Sequence, residues 1–127
     1  MIAADTSSLI AYLNGQPGKD VVRIDAAIDQ RQLHIAPVVQ SELLSDPLLP
    51  TALRLAILSL PLLDLGAGYW ERVAGLRMKI LKQGLKAKMV DAMIAQCCID
   101  YHIPLLTRDT DFRHFVRLGG LNLGVPL

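Results

Sequence analysis

Apolar residues recur along this chain in two rhythms. Short apolar runs of strand type stand at Ile2–Ala4, Leu33–Ala36, Leu62–Leu65, Pro104–Thr107 and Leu121–Leu123. Between them the spacing turns helical. A helix over Ser7–Leu13 is expected after Asp5-Thr6 and stops at Asn14-Gly15, a good C-terminal signal. Lys19–Arg31 places Val22, Ile24, Ala26, Ala27 and Ile28 mostly on one side, with Asp25 and Asp29 on the other. Pro37 suits a first helical position and opens Val38–Ser45. Thr51–Ser59 is a further helix before Pro61. Tyr69, Val73, Leu76 and Ile80 mark a helix over Tyr69–Lys82, and Val90, Ile94, Cys97 or Cys98, and Tyr101 mark another over Met89–His102. Asp111–Leu118 forms a last short helix before Gly119-Gly120.

Strands alternating with helices imply right-handed crossovers and a mostly parallel sheet covered on both faces. The expected fold class is therefore α/β, a three-layer α/β/α sandwich with a central, mostly parallel sheet. No repeat or linker interrupts it, so residues 1–127 are read as one domain, long enough to bury a core without staples. The chain is 52% hydrophobic with a mean hydropathy of +0.36, a surplus that predicts a dimer or partner interface. The Leu-rich segment Leu48–Leu63 is the candidate for that surface. The most apolar stretch of the chain, Leu55–Leu65, is broken by Ser59, Pro61 and Asp64, too short to cross a bilayer. With Asp5 inside the first apolar run, no secretory signal is read, and a cytoplasmic location is expected. Cys97 and Cys98 are adjacent on a helix, where they diverge, and are read as small core residues in a reducing compartment.

The topology gives four acids a common address, because ligands of such sheets bind beyond the carboxyl ends of the strands. Asp5 directly follows the first strand, and Asp109 follows the Pro104–Thr107 strand. Glu42 lies on the helix after the second strand, whose N-terminal end is at the same edge. Asp91 lies in the first turn of the helix leading into the Pro104–Thr107 strand. Carboxylates ~5 Å apart repel by roughly 3 kcal/mol at an effective dielectric near 20. A divalent cation relieves that conflict, and an all-oxygen set without Cys or His favours Mg²⁺ or Mn²⁺ over zinc. Such an ion can acidify a water and neutralise a phosphate under in-line attack. Asp5 could instead cap the following helix, and Asp91 could answer a helix dipole. Glu42 is the more informative acid, since Val38, Val39, Leu43 and Leu44 flank it.

The runs Ala4-Asp5-Thr6-Ser7-Ser8-Leu9-Ile10, Ser41-Glu42-Leu43-Leu44, Val90-Asp91-Ala92-Met93-Ile94-Ala95 and Leu106-Thr107-Arg108-Asp109-Thr110-Asp111-Phe112 together resemble the PIN-domain family. Within that family the likeness is to VapC-type toxins of toxin–antitoxin pairs. The resemblance spans almost the whole chain. It implies a Mg²⁺- or Mn²⁺-dependent endoribonuclease, homodimeric and silenced by a cognate antitoxin protein. It assigns Asp5, Glu42, Asp91 and Asp109 to the family's acidic positions, with Asp111 a second acid that often follows. In this reading Asp5, Asp91 and Asp109 bind metal, while Glu42 and Asp111 assist. Ser7 and Thr107 match accessory hydroxyl positions beside the substrate. Leu85-Lys86-Ala87-Lys88-Met89 is more basic than the family pattern.

Charge sharpens the substrate expectation only locally. Net charge is +1, but Arg72, Arg77, Lys79, Lys82, Lys86 and Lys88 follow one another with no acid between Arg72 and Lys88. That stretch could track an RNA backbone or be a solvated face. Arg108, beside Asp109, is better placed as a phosphate or transition-state ligand. His34 and His102 are read as structural, and Tyr69 and Trp70 as core or dimer contacts. Two rival readings stand beside the nuclease. One is a catalytically silent RNA-binding or interaction module of the same fold. The other is a phosphohydrolase with Asp5 as nucleophile, disfavoured because position 7 is Ser where such sites commonly want an acid.

Overall fold

The computed structural model describes residues 1–127. The sheet is wholly parallel and built around its first strand. Strand β1 (Ile2–Ala4) lies between β2 (Leu33–His34) and β3 (Leu105–Leu106). The register pairs Ile2 with Leu33, Ala3 with His34, Ala3 with Leu105 and Ala4 with Leu106. Two of the five expected strands are reduced to single parallel bridges, Leu62 against Ile35 and Leu123 against Leu105. Pro61 precedes one and Gly124 follows the other, and both residues weaken strand propagation. The order across the sheet is thus Leu62, β2, β1, β3, Leu123.

Seven helices supply the outer layers: α1 (Thr6–Leu13), α2 (Lys19–Asp29), α3 (Pro37–Leu44), α4 (Thr51–Ser59), α5 (Tyr69–Lys82), α6 (Met89–Tyr101) and α7 (Arg113–Gly119). This is the α/β/α arrangement expected from the alternation. The last expected helix is divided, with a 3₁₀ turn at Thr110–Phe112 before α7. Helices α1 and α2 pack together, α5 packs on α6 and α7, and α3 touches α1, α4 and α6. All of β1 is buried, and the core continues through Ile24, Ile35, Val39, Val73, Ile80, Leu105, Phe112 and Phe115. Tyr69 and Trp70 separate: Tyr69 is buried and its hydroxyl donates to the Met93 carbonyl at 2.6 Å, while Trp70 is exposed. The two cysteines are buried, as expected of small core residues.

Local chemistry ends each element where the site requires it. Asp5 caps α1 by accepting from the Ser8 amide at 3.1 Å. Pro37 occupies the first turn of α3. His102 closes α6 in the left-handed region at φ 54°, a structural place for this residue. No helix is long and apolar enough to cross a membrane. Part of the surplus apolar surface lies on the Leu48–Leu63 segment, where Leu48, Leu55, Leu58 and Leu62 are exposed.

Candidate active site

Parallel pairing puts the ends of β1 and β3 side by side, and the residues that follow them meet there. Thr107 Oγ1 donates to Asp5 Oδ2 at 2.6 Å, and Ser7 Oγ donates to Asp5 Oδ1 at 2.7 Å. With the Ser8 amide also on Oδ1, three of the carboxylate's roughly four acceptor positions are filled. Asp5 is 4% exposed, and burial raises its pKa against the lowering effect of those donors. A carboxylate so thoroughly hydrogen-bonded is a poor nucleophile, which removes the appeal of an aspartyl-phosphate reading. The same oxygens cap a helix and brace the site.

The hydroxyl of Thr107 also accepts from the Asp109 amide at 3.0 Å, and Asp109 Oδ1 accepts from the Asp111 amide at 2.9 Å. These two short turns hold both acids at the end of β3. One carboxylate oxygen from each of Asp91, Asp109 and Asp111 falls in a group whose members all lie within 4.8 Å of one another. Asp91 comes from the first turn of α6 and is 9% exposed. Its Oδ2 is buried with no hydrogen-bond partner. Burial first, and then the negative charge of Asp109, push its pKa up to about 6; Lys88 opposes them, and Asp111 and Asp5 add to the rise.

A buried carboxylate with one oxygen unpartnered, grouped with two more carboxylates, is an incomplete electrostatic arrangement. The residues fit a hard divalent cation: the donors are oxygens alone, they are close enough to share one ion, and the Asp91 carboxylate among them is buried with an oxygen left unpartnered. The tight group contains Asp111 and not Asp5, whereas the sequence pointed to Asp5, Asp91 and Asp109 as the metal set.

Glu42 is outside the tight group of acids. It is exposed, and Thr6 Oγ1 donates to its Oε1 at 2.7 Å. Its flanking residues Val39 and Leu43 are the buried ones, so the apolar context in sequence belongs to the opposite face of α3. Ser7 touches Asp5, lies 3.4 Å from Thr107 Oγ1 and accepts from the Arg108 amide at 3.0 Å.

Arg108 turns away from the acids. Its Nε donates to Asp20 Oδ2 at 2.7 Å, its Nη2 donates to Asp20 Oδ1 at 3.0 Å and to the Pro17 carbonyl at 2.8 Å, and its Nη1 donates to Gln16 at 3.3 Å. Ser8 Oγ donates to the same Asp20 at 2.8 Å. Asp20 is 6% exposed, and the Arg108 guanidinium holds its carboxyl below the usual range. Gly18, at φ +156°, sits against this pair, where a Cβ would meet Asp20 Oδ1 and Arg108 Nη2. Sequence reading overlooked Asp20, although a signal existed. Asp20 shares the spacing of the buried Ile24 and Ala27, and an acid on a core-facing stripe requires a partner.

The basic stretch divides as well. Arg72 makes a two-pronged pair with Asp100, at 2.9 and 2.7 Å, and Arg77 Nε donates to the Ala87 carbonyl at 2.6 Å. Only Lys88 of that stretch makes an ion pair with the acid cluster, its Nζ 3.8 Å from Asp111 Oδ2.

The PIN domain model matches residues 2–118, and the chain belongs to the PIN domain family, whose members are usually nucleases and generally use divalent metals. The fold is shared with a chain of the DNA-bound VapBC complex from Salmonella typhimurium, at 20% identity, 97% coverage of each chain and a TM-score of 0.71. A chain of a toxin–antitoxin complex from Klebsiella pneumoniae aligns over 100% of both chains at 18% identity and a TM-score of 0.70. A chain of FitAcB from Neisseria gonorrhoeae aligns over 97% of this chain and 96% of its own at 19% identity and a TM-score of 0.69. A search of curated proteins returns no match.

Proposed function

We propose that this chain is a Mg²⁺- or Mn²⁺-dependent endoribonuclease and the toxin of a toxin–antitoxin pair, folded as a single domain over residues 1–127. The observation that carries the chemistry is the buried, unpartnered Asp91 Oδ2 beside Asp109 and Asp111. Asp91, Asp109 and Asp111 would hold the cation, with the Asp5 carboxylate adding its charge. When bound, the cation acidifies a water and neutralises charge on the scissile phosphate.

The chain's own residues divide the remaining work. Thr107 and Ser7 fix the Asp5 carboxylate, and Thr107 also fixes the turn that presents Asp109. Glu42, exposed and oriented by Thr6, accepts a proton from the attacking water. Water adds to phosphorus as the bond to the 3′-oxygen breaks, and the 3′-oxygen takes a proton from solvent, leaving a 5′-phosphate and a 3′-hydroxyl. The toxin assignment is supported by the fold shared with chains of VapBC and other toxin–antitoxin complexes. Exposed Leu48, Leu55, Leu58 and Trp70 support a homodimer and an antitoxin contact.

The test is cleavage of structured RNAs by the purified chain in Mg²⁺ or Mn²⁺, with and without chelator. Cleavage that needs the metal and disappears in Asp91→Asn is the expected result. RNA left intact in both metals would overturn the assignment.

A further inference from the structure

Four carboxylates at the rim of a nuclease site repel the very phosphate they are to act on, and a single divalent ion offsets only part of that charge. A cation of the protein must therefore meet the substrate at this edge. Arg108 is next to Asp109 in sequence, but its guanidinium is engaged with Asp20, Gln16 and Pro17. Arg72 and Arg77 are likewise committed, to Asp100 and to the Ala87 carbonyl.

Lys88 is placed otherwise. Its backbone caps α6 three residues before Asp91, and the segment leading to it is pinned by buried Ala87, whose carbonyl Arg77 holds at 2.6 Å. Its side chain is 68% exposed, and its Nζ lies 3.8 Å from Asp111 Oδ2, long for an ion pair and made without a hydrogen bond. A rigid stem thus carries a loosely held ammonium to the mouth of the acid cluster.

We propose that Lys88 is the residue that binds the RNA phosphate at this site. In the free protein its ammonium rests against Asp111, and a cation bound among the carboxylates frees it for a substrate phosphate. Arg108 instead positions the Thr107–Asp109 turn from behind. The inference rests on the ribonuclease reading, because it names the substrate contact of that same site.

Lys88→Gln and Lys88→Arg test it in the full-length chain, since the exposed side chain tolerates both. Affinity for a labelled oligouridylate, measured by anisotropy in Ca²⁺ to slow turnover, is followed across a KCl series. Loss of one phosphate contact lowers the slope of log Kd against log salt by about 0.7 in Lys88→Gln, while Lys88→Arg keeps the parental slope. At about 0.1 M salt the Gln variant binds roughly 3-fold more weakly, as an exposed contact implies. Mn²⁺ affinity, read by electron paramagnetic resonance, stays the same or tightens in Lys88→Gln because a competing cation is gone.

A parental chain that binds the RNA, with an unchanged slope in Lys88→Gln, would overturn this inference alone. Weakened Mn²⁺ binding in Lys88→Gln would also overturn it, since Lys88 would then be assembling the acids. A parental chain that binds Mn²⁺ but no RNA would remove the ribonuclease reading and this inference with it.

Discussion

Asp91→Asn removes the charge that the folded chain accommodates worst, so the variant should be more stable than its parent when no metal is present. The Asp91 carboxyl rises from 3.8 to about 6 on folding, through burial and then Asp109. At roughly 1.4 kcal/mol per pH unit, ionising it in the folded state costs up to about 3 kcal/mol. Asp111 is 43% exposed in its side chain, so solvent screens part of the repulsion, and the expected gain is on the order of 1–3 kcal/mol.

The sign follows from the raised value. The favourable contribution of protonated Asp91 is complete below about pH 4 and is lost as pH rises through about 6. In chelator at pH 7.5 the variant should melt about 3–10 °C above the parent, and at pH 4 the two should melt together. Taking the difference between proteins cancels the acid loss of the Asp20–Arg108 and Asp100–Arg72 pairs, which both share. Adding Mg²⁺ or Mn²⁺ should then reverse the order at pH 7.5, because ligand binding stabilises only the protein that takes it up. Equal melting in chelator at both pH values, or a less stable variant at pH 7.5, would refute the electrostatic account of Asp91.

Other parts of the structure make their own demands. Asp20→Asn leaves the Arg108 guanidinium without its charge partner, and urea unfolding at neutral pH should show a loss of stability. Because the Asp20 carboxyl is lowered, that loss should shrink as pH falls through its folded value. Thr107→Val removes a donor to Asp5 and an acceptor for the Asp109 amide; calorimetry should show about 1–3 kcal/mol of destabilisation. Thr107→Ser should recover most of that stability and, in a cleavage assay, most of the rate. Gly18→Ala places a Cβ between Asp20 and Arg108 and should lower the melting temperature by several degrees, about 1 kcal/mol or more.

Much of this structure could be read from the residues in order. Periodicity together with boundary signals located all seven helices, because each carries an apolar stripe or a boundary residue such as Pro37, Gly15 or Gly84. The two outer strands were overdrawn, since apolar composition at Leu62–Leu65 and Leu121–Leu123 says nothing about how many ladder hydrogen bonds neighbouring Pro61 and Gly124 permit. Chain order and helix direction sufficed to bring Asp91 and Asp109 to one edge. What they could not convey is where each side chain turns. Arg108 and Asp109 are neighbours, yet one faces Asp20 and the other faces Asp91 and Asp111. Glu42 likewise has apolar neighbours in sequence and an exposed place on its helix, because a helix separates adjacent residues by about 100°. Asp111 is held beside Asp109 by the hydrogen bond its amide donates to the Asp109 carboxylate, a turn geometry hidden in the spelling Asp109-Thr110-Asp111.

The most direct measurement is a Mn²⁺ titration of the full-length chain at pH 7.5, followed by electron paramagnetic resonance. The parent should remove free Mn²⁺ from solution at a saturable site, and Asp91→Asn and Asp109→Asn should each lose most of that affinity. Parental protein that leaves all the Mn²⁺ free, or Asp91→Asn protein that takes it up equally well, would contradict the existence of a cation site among these carboxylates.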